Sequence, residues 1–135
     1  MTTGLTKDAG WEIGVSRTLP LAPAAVWDFI ASAEGVALWL GDGVRLPTRK
    51  GAAYETTDGI TGEVRSYRPG DRIRVTYGTS TVQVAVSAAR SGNGAVLRFH
   101  QERLAGAEER ERRRAHWQAV ATEVMAALGV DEGRA

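Results

Sequence analysis

The spacing of apolar and polar residues divides the chain into one strand, a helical pair, five further strands and a long terminal helix. Trp11 to Leu19 sets Trp11, Ile13 and Val15 against Glu12, Gly14 and Ser16, the period of two expected of a half-buried strand. Arg17 falls on the apolar side of that alternation, where a cation needs an anion or a path to solvent. Residues Met1 to Gly10 are polar and form an expected flexible lead-in. After Pro20 and Pro23 the period lengthens: Val26, Trp27, Phe29 and Ile30 share one side of a helix over Ala24 to Ala31. Ser32 is placed to cap a second short helix, with Glu34 in its first turn and Val36, Trp39 and Leu40 as its buried face. Gly41 ends it, and Gly41 to Arg49 is a loop.

Strands return at Gly51 to Thr57, Ile60 to Arg68, Arg72 to Tyr77, Thr81 to Ala89 and Gly94 to Leu104. Asp58-Gly59, Pro69-Gly70 and the Ser91 to Gly94 stretch are turn signals between them, so the sheet is expected to be mainly antiparallel. In the last strand Leu97 and Phe99 share their face with Gln101, while Arg98, His100 and Glu102 share the other. Ala107 to Leu128 forms the long helix, opened by Glu108 and Glu109 and striped by Trp117, Val120, Ala121, Val124 and Leu128. A helix of this kind has to bury its stripe against the sheet. The space between them is where a pocket belongs.

The 135 residues suffice for a single domain with its own core. The absence of cysteine excludes disulfides, thiolate metal sites and cysteine nucleophiles. With 17 basic and 16 acidic residues, the charge balance gives no case for binding nucleic acid or an anionic membrane. No apolar run approaches the ~18 residues a membrane span needs, and the first ten residues lack a signal-peptide core, so the expected location is the cytoplasm. Two distant histidines offer no metal-binding spacing, and no metal or other cofactor is expected. There is neither a G-x-S-x-G elbow nor a complete phosphate loop around Gly41-Asp42-Gly43.

Four segments in this order and spacing resemble a known family: SRTLPLAPAAVWDFIASAEGVALWLGDG, GITGEVRSYRPGDRIRVTY, GAVLRFHQERL and EERERRRAHWQAVATEVMAAL. The chain resembles the SRPBCC, or START-like, superfamily. Within it, the chain is similar to the branch of the C-terminal domain of the activator of heat-shock protein 90 ATPase. The resemblance implies an α+β helix-grip fold, START-like or Bet v-like, with a curved antiparallel sheet wrapped around a long C-terminal helix and two short helices after the first strand. Two positions depart from the family's pattern. Gln101 stands where the family often has histidine, and His116 where it often has glycine before the helix tryptophan.

The family's diversity implies three roles: binding of an apolar or amphipathic small molecule, polyketide cyclase or aromatase chemistry, and docking to a chaperone. A second copy of the chain is a further candidate partner. The residues themselves favour a binding protein over an enzyme. Trp39, Tyr54, Tyr77, Phe99, Trp117 and Val120 are the candidate apolar lining, with Gln101 and His116 as polar groups that would orient a ligand. Trp27 and Phe29 are expected to fill the core instead. Glu55 and Glu63 oppose the apolar parity and are expected to face water. His116 is the one candidate for proton transfer. Arg110, Arg112, Arg113 and Arg114 are expected on a solvated helix face, supported by Glu108–Arg112 and Glu109–Arg113 pairs.

Overall fold

The computed structural model describes residues Leu5–Thr6 and 10–130. In chain order the elements are β1 (Leu5–Thr6), β2 (Gly10–Leu19), α1 (Pro23–Ala31), α2 (Ala33–Trp39), β3 (Ala53–Glu55), β4 (Thr61–Arg68), β5 (Arg72–Tyr77), β6 (Ser80–Ala88), β7 (Ala95–Leu104) and α3 (Ala107–Ala127). The strands form one antiparallel sheet in the order β1-β2-β7-β6-β5-β4-β3. It is a curved sheet packed on a long C-terminal helix, as the resemblance implies.

The lead-in differs from expectation. Leu5 pairs with Trp11 and Thr6 with Gly10, so part of the stretch read as flexible is a short edge strand. Two residues have no period to detect. The other residues before Gly10 lie outside the described residues. The strand expected over Gly51 to Thr57 is ordered as a ladder only at Ala53–Glu55. Among the described residues, no helix is long and apolar enough to cross a membrane.

Local chemistry explains the helical pair. Pro23 opens α1, where its missing N–H costs nothing. The Ser32 side chain accepts the Gly35 N–H at 3.1 Å and so caps α2. Gly35 is required at that elbow, because a Cβ there would stand 1.9 Å from the Phe29 carbonyl oxygen.

The inner face of the sheet alternates as the sequence predicts. Ile13, Val15, Ile73, Val75, Val84 and Leu97 are buried and share one core with Val26 and Ile30 of α1. The stripe of α3 is Trp117, Val120, Ala121, Val124 and Met125, with Leu128 half-buried at its end. Phe99 and Trp117 stack with centroids 5.0 Å apart and planes 17° apart, which joins β7 to α3. Such a pair adds about 0.5–1.5 kcal/mol beyond the burial itself.

The β2–β7 ladder carries one irregularity. Trp11 pairs with Leu104 but Ile13 pairs with Gln101, so β7 has an extra residue there. The bulge holds Arg103 at φ 64, a left-handed conformation unusual for a side chain of this size. It resets the alternation, so that both Gln101 and Leu104 are buried.

Candidate functional site

The cavity lies at one end of α3, between that helix, α2 with the loop after it, and the β5–β6 hairpin. Its volume is about 530 Å³. Four predicted residues line it: Trp39, Tyr77, His116 and Trp117. Leu38, Leu40 and Val82 add apolar wall, while Asp42, Thr57, Asp58 and Arg113 add polar groups.

Each wall has a reason to hold its shape. The Trp39 indole N–H donates to the Ile30 carbonyl at 2.9 Å, which fixes the ring at the C-terminus of α2. The rim loop is tied to the β3–β4 turn: the Thr57 N–H and hydroxyl both donate to the Asp42 carbonyl, at 3.2 and 2.7 Å. Gly43, at φ 74, has to be glycine, since a Cβ would also lie 2.3 Å from the Thr57 hydroxyl oxygen. The Thr56 hydroxyl donates to the Asp58 carboxylate in the same turn.

Gln101 holds the cavity floor together. It is 2% exposed. Its Oε1 accepts from Trp117 Nε1 at 2.9 Å and from Arg113 Nε at 2.7 Å. Its Nε2 donates to the Ser80 hydroxyl at 2.8 Å, and that hydroxyl donates to the Tyr77 carbonyl at 2.8 Å. One buried amide therefore fixes α3, the β5–β6 turn and β7 in a single arrangement. Leaving such groups unpaired would cost about 1–3 kcal/mol each.

The other predicted residues support the cavity without lining it. Tyr54 is buried, and its hydroxyl donates to the Thr76 carbonyl across Gly62. A Cβ at Gly62 would meet that carbonyl oxygen at 2.0 Å and the Tyr54 ring at 2.7 Å, so the glycine makes room for the ring. Burial raises the Tyr54 hydroxyl pKa, and Tyr77 adds to the rise. Phe99 lies beneath Trp117, and Val120 is buried in the core. Arg17 is half-buried with its guanidinium donating to the Ser16 carbonyl at 2.9 Å, and it is not among the cavity residues.

The expectation for the arginines needs correction. Arg113 is half-buried in the cavity wall, and Arg110 donates through Nε to the Glu12 carbonyl at 2.8 Å. Neither expected i, i+4 pair is formed among the described residues. Glu109 turns back to accept the Ala105 N–H at 2.8 Å, which ties the chain just before the N-cap Gly106 to the first turn of the helix. The sequence does carry a signal for this: the buried stripe, carried back from Trp117 by four and seven residues, passes through Arg113 and Arg110.

The electrostatics of the cavity are set by Arg113. Its guanidinium carbon lies 5.7 Å from the Tyr77 ring centroid and 5.6 Å from that of Trp117. Burial lowers its proton affinity, opposed by Tyr77 and Glu109, yet a guanidinium stays charged. The His116 ring meets Trp117 edge-on, with centroids 4.8 Å apart. Burial first, and the Arg113 charge second, push its pKa down to about 4. At neutral pH His116 is therefore an uncharged donor and acceptor.

The opposite face of the sheet carries a different polar group. Glu12, His100 and Glu102 place one ligand atom each within 4.8 Å of one another, a juxtaposition that histidine spacing alone does not reveal. Glu102 is already bound to Arg74, and His100 Nε2 stands 3.6 Å from Glu12. With the Arg74 cation in the cluster, these residues make an ion-pair network better suited to holding strands than a metal. Glu55 is exposed and Glu63 pairs with Arg65 at 2.6 Å, so neither enters the cavity.

No family model and no curated protein matches the chain. Solved structures do. DynU16, a protein of the dynemicin biosynthetic locus, superposes with a TM-score of 0.72 at 19% identity, covering 87% of this chain and 47% of that one. The chain thus spans about half of DynU16. PFC0360w, an HSP90 activator from Plasmodium falciparum, gives a TM-score of 0.69 at 16% identity over 89% of this chain and 97% of its own. The Aha1 dimer from Colwellia psychrerythraea gives 0.70 at 11% identity over 87% and 95%. The likeness to these proteins and the sheet wrapped on one long C-terminal helix give this chain the helix-grip fold.

Proposed function

We propose that the protein binds an amphipathic small molecule in the cavity between α2, the β5–β6 hairpin and α3. The observation that carries this reading is the cavity itself. It keeps about 530 Å³ open between aromatic walls whose positions are fixed by buried hydrogen bonds. That volume is within the ordinary range for small-molecule sites, which combine apolar lining with a few fixed polar groups. Burial of ligand surface against the half-buried Leu38 and Tyr77, backed by Trp39, Trp117 and Val82, would supply affinity at roughly 25 cal/mol per Å². Tyr77, Arg113 and His116 would orient the ligand.

The alternatives are less well supported. A cyclase-type enzyme needs a group that gives and takes protons inside the cavity. His116 is the histidine there, and at a pKa of about 4 it is a poor base and is not protonated at neutral pH. A chaperone-docking module, as in the HSP90 activator, has no need of an open cavity. Fold likeness alone does not carry the partner to this chain.

Native mass spectrometry of protein purified from its own cells, beside a denatured control, tests the binding reading. A discrete added mass that is lost on denaturation is expected. Bare protein that also takes up no apolar dye would overturn it.

A further inference from the structure

We infer that the ligand of this cavity is an organic acid, a hydrophobic molecule with a single carboxylate that is held by the two terminal nitrogens of Arg113. The inference rests on the binding reading above and adds the chemical class of what is bound.

Arg113 is a cation that the protein has half-buried with no carboxylate in contact among the described residues, Glu109 acting on it only from a distance. Among the described residues no carboxylate lies within ion-pair distance of it, and its only hydrogen bond is the one from Nε to Gln101. Charged side chains withdrawn from water are ordinarily paired. Two carboxylates, Asp42 and Asp58, line the same cavity, yet neither reaches the guanidinium. Glu109, one turn earlier on α3, is turned to the Ala105 N–H.

The geometry is that of a prepared donor. Gln101 takes the Nε hydrogen, and the rings of Tyr77 and Trp117 flank the group, so its direction is set before anything binds. Both Nη groups are left over, and their N–H bonds match the two oxygens of a planar carboxylate. His116 beside it is neutral at physiological pH, so the site offers one positive charge. Asp42 and Asp58 in the wall would repel any further negative charge. A monoanion fits this balance and a polyanion does not. The aromatic and aliphatic walls then take the apolar body.

The test compares 2-naphthoate with its uncharged isostere 2-naphthamide. Binding is followed by quenching of tryptophan fluorescence, since Trp39 and Trp117 both line the cavity. In the wild type the acid is expected to bind at least about tenfold more tightly than the amide, as one charge-assisted pair would give. Arg113→Met should abolish the preference for the acid over the amide, with circular dichroism and a thermal melt reporting that the fold is intact. Arg113→Lys keeps the charge without the fork and should retain part of the preference. Equal affinities in the wild type, or a preference that survives in Arg113→Met, would overturn the carboxylate assignment while leaving the cavity reading standing. If neither compound binds and no apolar dye is taken up, both the assignment and the cavity reading fail.

Discussion

On the outer face of the sheet, Arg74 is bound to Glu102 and His100 stands beside Glu12. On the inner face, Arg113 and His116 share a cavity wall with no carboxylate at ion-pair distance among the described residues. The ingredients are alike, an arginine and a histidine near acidic groups. The outer set satisfies itself in partly solvated surroundings. The inner set spends only the Arg113 Nε hydrogen, on Gln101, and leaves both Nη groups without a carboxylate in surroundings that make unpaired charge costly. Polar groups that complete one another belong to the architecture, and polar groups held apart are ready for something else.

The sharpest way to break this contrast is at Gln101, the residue that holds the inner set in place. Gln101→Leu removes the acceptor shared by Trp117 and Arg113 and the donor to Ser80. Urea unfolding should show a loss of about 2–4 kcal/mol. A loss below about 1 kcal/mol would mean that the amide does not organise the cavity floor.

Next come the two arginines. Arg74→Met strands Glu102, whose side chain is only 12% exposed, and should cost about 1–2 kcal/mol after allowance for the solvent that reaches Arg74. Arg113→Met removes an unpaired cation and should leave stability within about 0.5 kcal/mol of wild type, or raise it. Equal losses in the two variants would erase the distinction between the faces.

The pH dependence sharpens it further. His116 has its pKa lowered to about 4 in the folded protein, against 6.5 for the unperturbed side chain. Between those values the unfolded chain binds the proton and the folded chain does not, so stability is full above about pH 6.5 and falls as pH drops toward 4. Discounted for the ring's partial exposure, the loss attributable to His116 is about 1–2 kcal/mol. His116→Gln should remove that part of the slope, and the ring-proton shifts of His116 should titrate near pH 4 in the empty protein. A midpoint near 6.5 would show a solvated ring instead. Arg113→Met should move the midpoint upward, because the second cause of the shift is gone.

The smallest effect is expected at the exposed pair Glu63–Arg65, whose side chains are 41% and 50% exposed. Arg65→Ala should change stability by less than about 0.5 kcal/mol. It serves as the baseline against which the other changes are judged.

Much of this architecture is legible in the sequence, because burial on one side of a strand or helix writes a period into it. The β2 and β7 alternations, the Ser32 cap and the Trp117–Val124 stripe all come from local rules. Gln101 is conspicuous as an amide on an apolar parity, and its burial is what that parity requires. The remainder depends on placement in three dimensions. The bulge opposite Glu12 leaves no mark in composition, yet it decides that Leu104 is buried and Arg103 exposed. Asp42, Thr57 and Asp58 lie in loops, where no period exists to say which way they point. Arg113 is obscured by its neighbours: in a run of charged residues, only the rotation of α3 against the sheet tells the buried one from the solvated ones.

The pairing of β2 with β7 has a consequence for how the chain acquires its structure. Val15 lies beside Phe99, so the β2–β7 seam, one strand in from the sheet's edge, is closed by segments separated by about eighty residues of chain. The local hairpins β4–β5, β5–β6 and β6–β7 can assemble as they emerge, but β2 has to wait for β7, and α3 for both. Contacts of that range make folding slow relative to a helical domain of the same size. On a translating ribosome, β2 would wait with only the two-residue β1 beside it until β7 has been made. The cavity, walled by α2, the β5–β6 hairpin and α3, would exist only once α3 has been made and docked.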